Sequence, residues 1–367
     1  MTRVIKRAES LTEQIVDHAS NANQFQESYA FVSTGSALLN LALSDRTDGG
    51  YVLGKIVNEV GDRSSGKTFK CLTTLAEAAH SPAFNDYELV FDDAEAANEF
   101  NLVKLFGQRT ADRIQPPNLD RESPEHSKTV QDFQGYLNKL LKADKPFIYI
   151  LDSLDAISAD EEIEHAEAVQ KARDAGKEAK GSYGMQKAKH MSIMLRLIAA
   201  AIKKTQSLLI IISQTRDNVD PMSFTRKNRA GGRALEFYCS YESWLAVTGK
   251  LTTKINDKAR MIGITTRVKI SKNKFNGKIR EIDLPIYYDL GVDDIGACID
   301  FLINEKRWPK NGAGIVDAHE LRLFMTRTKL IERIEENDLI EALHKVTQDE
   351  WESIENKLKL DRRPRYE

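Results

Sequence analysis

The run with the clearest chemical meaning is a glycine-rich loop at residues 61–68, which reads G-D-R-S-S-G-K-T and matches G-x-x-x-x-G-K-[ST]. A strand-like run precedes it and a helical run follows it, the context in which such a loop wraps a phosphate with its backbone N–H groups. In that role Lys67 reaches the β- and γ-phosphates and the Thr68 hydroxyl binds Mg²⁺. The motif therefore predicts a nucleotide-binding site. Its candidate cofactor-binding residues are Gly61, Asp62, Arg63, Ser64, Ser65, Gly66, Lys67, Thr68 and Phe69.

Polar side chains end two other predicted strands. The apolar run FIYILD at residues 147–152 ends in Asp152, an arrangement that orients Mg²⁺ in P-loop NTPases. The run LLIIISQ at residues 208–214 ends in Gln214, at the strand end where open α/β sheets bind ligands. The Gln214 amide is expected either to sense the γ-phosphate or to cap the strand.

A further strand-like run, LVFDDAE at residues 89–95, contains three carboxylates at its end. Hydrolysis of a nucleotide needs one carboxylate near the γ-phosphate that orients and deprotonates water. Spacing alone does not choose among Asp92, Asp93 and Glu95.

These side chains require a sheet that brings several strand ends together. Short β-branched or aromatic runs alternate with polar helical segments, which is typical of a parallel sheet covered by helices. The predicted parallel strands lie at residues 55–60, 89–91, 147–151 and 208–212. Longer strand-like runs predict antiparallel additions at residues 235–247, 261–270 and 279–287. We therefore predict an α/β fold with a mainly parallel central sheet.

The flanking segments have helical patterns. Capping-box spacing at residues 10–13 predicts an amino-terminal helical arm. Apolar residues at helical spacing beyond residue 291 predict a small carboxy-terminal domain. Residues 159–180 are almost wholly charged residues and alanine, which indicates an exposed helix or a mobile loop.

The composition is that of an ordinary globular protein. The 367 residues are 41% hydrophobic and 29% charged, which excludes low-complexity and wholly disordered classes. No apolar run approaches the roughly 18 residues of a membrane span, and the first residues lack the apolar segment of a secretory signal. Three scattered cysteines exclude a disulfide framework. We therefore expect a cytoplasmic protein with no membrane partner.

The overall charge does not indicate a nucleic-acid partner, because 53 Lys and Arg stand against 55 Asp and Glu. A site for a polyanion must come from local clustering. Residues 258–280 provide such a cluster, with eight basic residues and no acidic one.

Taken together, the motifs resemble those of the RecA family of strand-exchange recombinases, and more closely its bacteriophage members. The resemblance covers about residues 31–288, and its most specific part is GGRALEFY after a strand that ends in glutamine. In the order of the family, the matching motifs are STGS at 33–36, the glycine-rich loop at 61–68, DDAE at 92–95, LDS at 151–153, ISQTR at 212–216, GGRALEFY at 231–238 and TRVKISKNK at 266–274.

The resemblance implies a function and its partners. It implies a DNA-dependent ATPase that uses ATP and Mg²⁺ and assembles on single-stranded DNA as a homo-oligomeric helical filament. Such a filament pairs with homologous double-stranded DNA and exchanges strands in recombination and repair. Single-strand-binding and loader proteins are further implied partners.

The resemblance also implies a domain plan around a RecA-like P-loop NTPase core. The amino-terminal oligomerisation arm would occupy residues 1–31. The ATPase core with its DNA-binding loops would occupy residues 32–290, and the small carboxy-terminal domain residues 291–367.

Several catalytic roles follow from the same resemblance. Lys67 and Thr68 match the ligands of phosphate and Mg²⁺, and Asp152 matches the acid that orients the metal. Glu95 matches the catalytic base, which is the choice that spacing left open.

Other matched residues connect the nucleotide to DNA and to a second protomer. Gln214 matches the glutamine that links the γ-phosphate to the second DNA-binding loop, at about residues 215–233. Lys272 and Lys274 match a lysine pair that reaches the nucleotide of the neighbouring subunit. The ATP site is therefore expected to be complete only between protomers.

Basic residues and glycines of two loops are the candidate DNA contacts, because cations and backbone N–H groups bind phosphates. The first loop and the helix after it supply Tyr183, Gly184, Met185, Lys189, Ser192 and Arg196. The second loop supplies Arg216, Arg226, Lys227, Arg229, Gly231, Gly232 and Arg233.

The sequence departs from the family pattern at three places. Residues 159–180 enlarge the first loop relative to bacterial members. Leu102, with Phe100 nearby, stands where bacterial members have an adenine-stacking tyrosine, so we expect weaker stacking or a contribution of Tyr288 from a neighbour. Glu236 replaces a lysine just after the second loop.

Two other functions are consistent with part of the pattern. A hexameric DNA helicase of RecA fold shares the glycine-rich loop and the parallel sheet, but the short amino-terminal arm and Lys272 with Lys274 disfavour it. A mediator that binds ATP and DNA but hydrolyses little is disfavoured by the presence of both Glu95 and Asp152.

Overall fold

The computed structural model describes residues 30–119, 125–175, 186–217, 227–229 and 232–363. The chain divides into two units, Met1–Phe31 and Val32–Glu367. The helix expected near residue 10 lies outside the described residues, as does nearly all of the first unit.

Fourteen strands occur in the described residues. In chain order they are β1 (Phe31–Val32), β2 (Tyr51–Val52), β3 (Lys55–Gly61), β4 (Glu88–Asp93), β5 (Ile114–Gln115), β6 (Phe147–Asp152), β7 (Leu208–Asp217), β8 (Lys227–Arg229), β9 (Tyr241–Ile255), β10 (Lys258–Asn273), β11 (Arg280–Tyr287), β12 (Gly291–Val292), β13 (Ile315–Ala318) and β14 (Leu323–Thr326).

Eleven α-helices connect them in the same residues. They are α1 (Ala37–Ser44), α2 (Lys67–His80), α3 (Leu102–Phe106), α4 (Gln108–Arg113), α5 (Val130–Lys142), α6 (Asp160–Asp174), α7 (Gln186–Lys204), α8 (Gly232–Tyr238), α9 (Asp294–Asn304), α10 (Arg327–Glu336) and α11 (Ile340–Lys357).

A large mixed sheet forms the centre of the second unit, in the order β12-β11-β10-β9-β3-β7-β6-β4-β5, with β8 paired to β7. The strands from β9 to β5 are parallel neighbours, while β9 to β12 are antiparallel. The mainly parallel α/β fold predicted from the sequence is therefore confirmed.

The parallel strands form at the centre because their side chains are apolar on both faces. All six residues of β6 and residues 208–212 of β7 are buried, as expected for strands covered by helices on both sides. Helices α5, α7 and α8 pack on one face of the sheet in a core that includes Phe133, Met194 and Leu235.

The register of these strands aligns their carboxyl ends. Gly61 at the end of β3 is opposite Gln214 in β7, and Asp93 at the end of β4 is opposite Asp152 in β6. The carboxyl-terminal parts of β3, β4, β6 and β7, with their glycine, acids and glutamine, therefore meet at one edge of the sheet.

One strand prediction is wrong over its first residues. The run at 235–247 begins as helix α8, and strand β9 starts only at Tyr241. Leu235 and Cys239 lie one helical turn apart, and both are buried in the core. The segment therefore forms a helix because this spacing places both side chains on the face that packs against the sheet. The two remaining antiparallel strands lie where the sequence predicted them.

The segment at 159–180 is helical in its described part. Helix α6 has no buried residue, so it extends along the surface, in agreement with the exposed helix that its composition predicted. Residues 176–180 lie outside the described residues.

The carboxy-terminal segment contains α9, α10 and α11 together with the antiparallel hairpin β13–β14. Its apolar residues, such as Leu302, Trp308 and Leu343, share one core with Leu38 and Leu41 of helix α1. No described helix has the length and apolar character needed to cross a lipid bilayer.

Candidate functional site

The glycine-rich loop connects β3 to α2 and has the backbone shape of a phosphate cradle. Ser64 and Gly66 adopt left-handed conformations, with φ of 59° and 86°. A Cβ atom at Gly61 would lie 2.6 Å from the Leu245 carbonyl oxygen, so only glycine fits there. Lys67 donates hydrogen bonds to the carbonyls of Gly61 (2.9 Å) and Asp62 (2.7 Å). The predicted loop residues are thus brought together at the start of a helix.

Thr68 and Asp152 form the oxygen pair predicted to bind Mg²⁺. The Thr68 hydroxyl donates to Asp152 Oδ2 at 2.6 Å. Burial raises the pKa of the Asp152 carboxyl to about 6, although the hydrogen bond from Thr68 opposes this shift. Burial also lowers the pKa of the nearby Lys67 ammonium. A positive ion at this position would favour the ionised form of Asp152.

The three carboxylates after β4 have different surroundings. Asp92 is fully buried and accepts hydrogen bonds from the Ser127 hydroxyl (2.5 Å) and the Tyr149 hydroxyl (2.6 Å). Asp93 accepts backbone hydrogen bonds from Ala97 (3.3 Å) and Asn98 (3.0 Å). The carboxylates of Asp92 and Asp93 therefore each have hydrogen-bond donors that explain a structural role.

Glu95 instead points toward the other candidate catalytic groups. Its Oε1 atom accepts hydrogen bonds from the Ser153 hydroxyl and from Gln214 Nε2 at 2.7 Å. Its backbone N–H donates to the Asp152 carbonyl at 3.1 Å. Among the three acids, Glu95 is therefore the one hydrogen-bonded to Gln214, and its role as the base stays a prediction of the resemblance.

A cavity of about 480 Å³ opens at this edge of the sheet. Its wall includes Lys67, Glu95, Phe100, Asp152, Ile286 and Tyr288. Phe100 and Tyr288 expose about half of their surface and offer aromatic faces for a nucleobase. The sequence predicts either weaker stacking or a contribution of Tyr288 from a neighbour, and in the structure Tyr288 lies beside the phosphate loop of its own chain. Leu102 begins α3 and is not part of this wall.

Other contacts in the site were not predicted. Thr266 of β10 is buried and donates to the Ser65 carbonyl at 3.0 Å, which ties the antiparallel strands to the phosphate loop. Asp155 accepts from the Gln214 backbone N–H at 2.7 Å. Asp155 follows Asp152 closely, so a second acid in that turn was a usable signal, whereas nothing local marked Thr266.

The residues present fit a nucleoside triphosphate and a divalent cation. Ser65 Oγ is buried and has no hydrogen-bond partner among the described residues, while the loop offers backbone N–H groups and the Lys67 ammonium to an anion. Thr68 and Asp152 supply the oxygen ligands that Mg²⁺ prefers.

The second loop begins and ends beside this site. Arg216 contacts Asp155 at 3.1 Å and remains largely exposed. Lys227 forms an ion pair with Asp62 of the phosphate loop. Gly232 and Arg233 begin helix α8, whereas Arg226 and Gly231 lie outside the described residues.

Arg229 is not exposed, contrary to its prediction as a DNA contact. Its side chain is only 10% exposed and forms ion pairs with Glu236 and Glu242. Glu242 also accepts hydrogen bonds from Trp244 and Ser271, both at 2.9 Å. Because two carboxylates neutralise its guanidinium, Arg229 here stabilises the base of the loop and is not presented to a DNA phosphate.

The described candidates near the first loop share one exposed side of helix α7. Lys189, Ser192 and Arg196 are exposed, while Met191 and Met194 face the core. This arrangement presents two cations and a hydroxyl to solvent. Tyr183, Gly184 and Met185 lie outside the described residues.

Lys272 lies in β10 and Lys274 directly follows that strand. Their side chains reach the carboxyl end of helix α8. Lys272 donates to the Glu236 carbonyl, and Lys274 donates to the Phe237 carbonyl at 2.9 Å. Burial, together with the nearby Lys272 charge, lowers the pKa of Lys274. Neither lysine lines the cavity at the phosphate loop of its own chain.

A parallel sheet, a phosphate loop after β3, an acid at the end of β6 and a glutamine in the last part of β7 define a P-loop NTPase of RecA-like architecture. Comparison with known proteins makes the assignment more specific. The family described as RecA N-terminal domain matches residues 13–293.

Curated relatives agree with this match. Protein RecA of Zymomonas mobilis subsp. mobilis is 30% identical over 287 residues, which cover 78% of this chain and 70% of that protein. Protein RecA 2 of Myxococcus xanthus is 29% identical over 283 residues, with coverages of 77% and 70%. Protein RecA of Geobacter metallireducens is 29% identical over 283 residues, with coverages of 77% and 74%.

The chain belongs to the RecA family. It is accordingly a nucleotide-binding, DNA-dependent ATPase of the class that acts in DNA recombination and repair by strand exchange. DNA binding and filament formation are properties of this family.

Proposed function

We propose that this chain binds ATP and Mg²⁺ in the cavity at the phosphate loop and assembles on single-stranded DNA as a helical filament that exchanges strands with a homologous duplex. The phosphate loop with Phe69, and the Thr68–Asp152 pair, would hold the nucleotide and the metal. Tyr288 would contact the base, a contact to which Phe100 contributes.

One observation carries this proposal. Gln214 donates its side-chain amide to Glu95 at 2.7 Å and its backbone N–H to Asp155 at 2.7 Å. The residue immediately before the second loop is therefore hydrogen-bonded to the candidate catalytic base. A change at the nucleotide can reach the DNA-binding loop through a single side chain.

The residues divide the chemistry as follows. When bound, ATP would supply the phosphoryl group and Mg²⁺ would neutralise part of its charge. Lys67 would exchange the carbonyls of Gly61 and Asp62 for phosphate oxygens. Glu95 would orient a water molecule and accept its proton as the water oxygen bonds to the γ-phosphorus and the bond to the leaving ADP breaks. Gln214 would exchange Glu95 for the γ-phosphate, and the position of the second loop would change with it.

The direct test is ATP turnover as a function of protein concentration, with and without unstructured single-stranded DNA. We expect strong stimulation by DNA and a cooperative dependence on concentration, because the active site is completed between protomers. Slow turnover that is indifferent to DNA, despite tight ATP binding, would instead support a mediator function.

The intersubunit site makes a separate prediction. Replacing Lys272 and Lys274 together by Ala is expected to lower DNA-stimulated turnover about a thousandfold, the lower end of the effect of a cation supplied in trans in other NTPases. ATP binding by dilute protomers should persist, because neither lysine lines the cavity of its own chain. Turnover and nucleotide affinity are measured on the same preparations.

Lys258→Ala is the matched control for the lysine pair, since Lys258 is exposed and begins β10, the strand that contains Lys272 near its other end. It should keep its turnover. Equal turnover in the double variant and in wild type would exclude the intersubunit role of the pair.

We further propose the domain plan with boundaries at 31/32 and 290/291, a cytoplasmic location, partnership with single-strand-binding and loader proteins, and a closer relation to bacteriophage members. Membership of the RecA family does not favour the hexameric helicase or the mediator.

The remaining described DNA-contact candidates are proposed as phosphate ligands because they are basic or polar and exposed. They are Lys189, Ser192, Arg196, Arg216 and Lys227.

A further inference from the structure

Asp62 is the second residue of the phosphate loop, and its atoms contact three functional groups. Its backbone carbonyl accepts a hydrogen bond from Lys67 at 2.7 Å. Its carboxylate accepts a hydrogen bond from the Thr215 hydroxyl through Oδ1 and forms an ion pair with Lys227 through Oδ2. These contacts lower the pKa of the Asp62 carboxyl, so it is ionised at neutral pH.

The two carboxylate contacts come from the two sides of the second loop. Thr215 lies on β7, where the chain leaves the sheet, and Lys227 is the first residue of β8, where the chain returns. The strands are antiparallel partners, with Thr215 opposite Arg229 and Asp217 opposite Lys227. One carboxylate therefore fastens both stems of the loop to the phosphate loop.

The Asp62 carboxylate and a DNA phosphate would compete for the same cation, Lys227. Lys227 is a candidate phosphate ligand, and a carboxylate in its ion pair occupies the place that a DNA phosphate would take. Each side chain of the pair is nearly half exposed, at 45% and 44%, so a polyanion in solvent can reach Lys227. A surface pair of this kind is weak enough to be exchanged.

We propose that Asp62 is a positioning residue that holds Lys227 and the stem residue Thr215 against the phosphate loop until a DNA phosphate replaces its carboxylate. Because Lys67 must release the Asp62 carbonyl to reach a bound nucleotide, the same residue links DNA binding to nucleotide binding. The link is distinct from the Gln214 contact with Glu95. It rests on the proposed DNA-binding function of the second loop.

The test is the affinity for fluorescent single-stranded DNA without nucleotide. Asp62→Asn keeps the size of the side chain but removes the charge that competes for Lys227. We expect this variant to bind DNA about fivefold more tightly, the range of one exposed ion pair. Because one more cation would exchange counterions with DNA, the plot of log affinity against log salt should steepen by about 0.7.

A second readout concerns the coupling to nucleotide. The ratio of DNA affinities with and without a non-hydrolysable ATP analogue should fall about fivefold in Asp62→Asn, because the nucleotide-free state no longer restrains Lys227. Lys227→Met, combined with Asp62→Asn, should cancel the gain in affinity. This double-mutant cycle assigns the effect to the pair.

Asp283→Asn is the matched control. It breaks the Arg267–Asp283 ion pair, whose side chains are each 46% exposed, and it changes the net charge by the same amount. Equal tightening in both variants would reduce the effect to net charge and overturn the proposal, as would unchanged affinity in Asp62→Asn. If wild-type protein binds no DNA in either nucleotide state, the proposed function itself fails.

Discussion

Glu95→Gln is expected to lower ATP turnover by about 10²- to 10⁴-fold while binding of nucleotide and DNA persists, because the amide cannot accept a proton from water. The substitution preserves the geometry, since a glutamine Oε1 still accepts hydrogen bonds from Ser153 and Gln214. The protein should therefore stay on DNA in long-lived filaments when ATP is present. Steady-state turnover and DNA dissociation measured on one preparation check both parts.

Asp93→Asn is the matched control for this substitution. Asp93 also lines the cavity, but its carboxylate caps the backbone at Ala97 and Asn98. It should keep most of its turnover, because an asparagine oxygen still accepts those bonds. If Asp93→Asn lost turnover and Glu95→Gln retained it, the base would be Asp93.

The second large effect is on stability. Lys70 and Glu59 form a salt bridge of 2.7 Å with exposures of 1% and 0%. The Tyr51 hydroxyl donates to Glu59 at 2.5 Å and accepts from Lys70 at 2.5 Å. Burial, together with the nearby Glu59 charge, raises the Tyr51 pKa well above its usual value. This triad joins helix α2 to strand β3 directly behind the phosphate loop.

Lys70→Met should therefore destabilise the protein by about 3–5 kcal/mol, because it leaves the Glu59 charge buried without its counter-ion. Thermal unfolding of the nucleotide-free protein measures the loss. Adding Glu59→Gln to Lys70→Met should recover a large part of it, since no buried charge then remains.

Lys142→Met is the control for general loss of a lysine, because Lys142 is exposed at the end of α5. It should unfold at the wild-type temperature. A Lys70→Met protein that also did so would show that the buried pair contributes nothing to stability.

Much of the fold was predictable because its signals are local. Strands β3, β6 and β7 are continuous apolar runs, and such runs are typical of parallel strands buried on both faces. The segment at 235–247 was misjudged because a single helical turn that buries Leu235 and Cys239 has the same composition as the start of a strand. Short apolar runs do not distinguish the 3.6-residue period of a helix from the two-residue period of a strand.

The candidate site was predictable to the level of its motifs. The sequence located the phosphate loop, Asp152 and Gln214, since each is defined by its neighbours in the chain. It did not separate Glu95 from Asp92 by spacing, and only the resemblance to a family made that choice.

By itself the sequence determined that this protein has a phosphate loop on a parallel sheet, because glycine positions and apolar runs act through the adjacent backbone. Only the tertiary structure decided that Asp92 is a buried anchor, that Arg229 is neutralised by two glutamates and that Tyr288 lies at its own nucleotide cavity. The physical reason is that the charge state and accessibility of a side chain depend on groups brought near it by folding. Asp62 and Lys227, 165 residues apart, meet only because β3 and β7 are neighbours in the sheet.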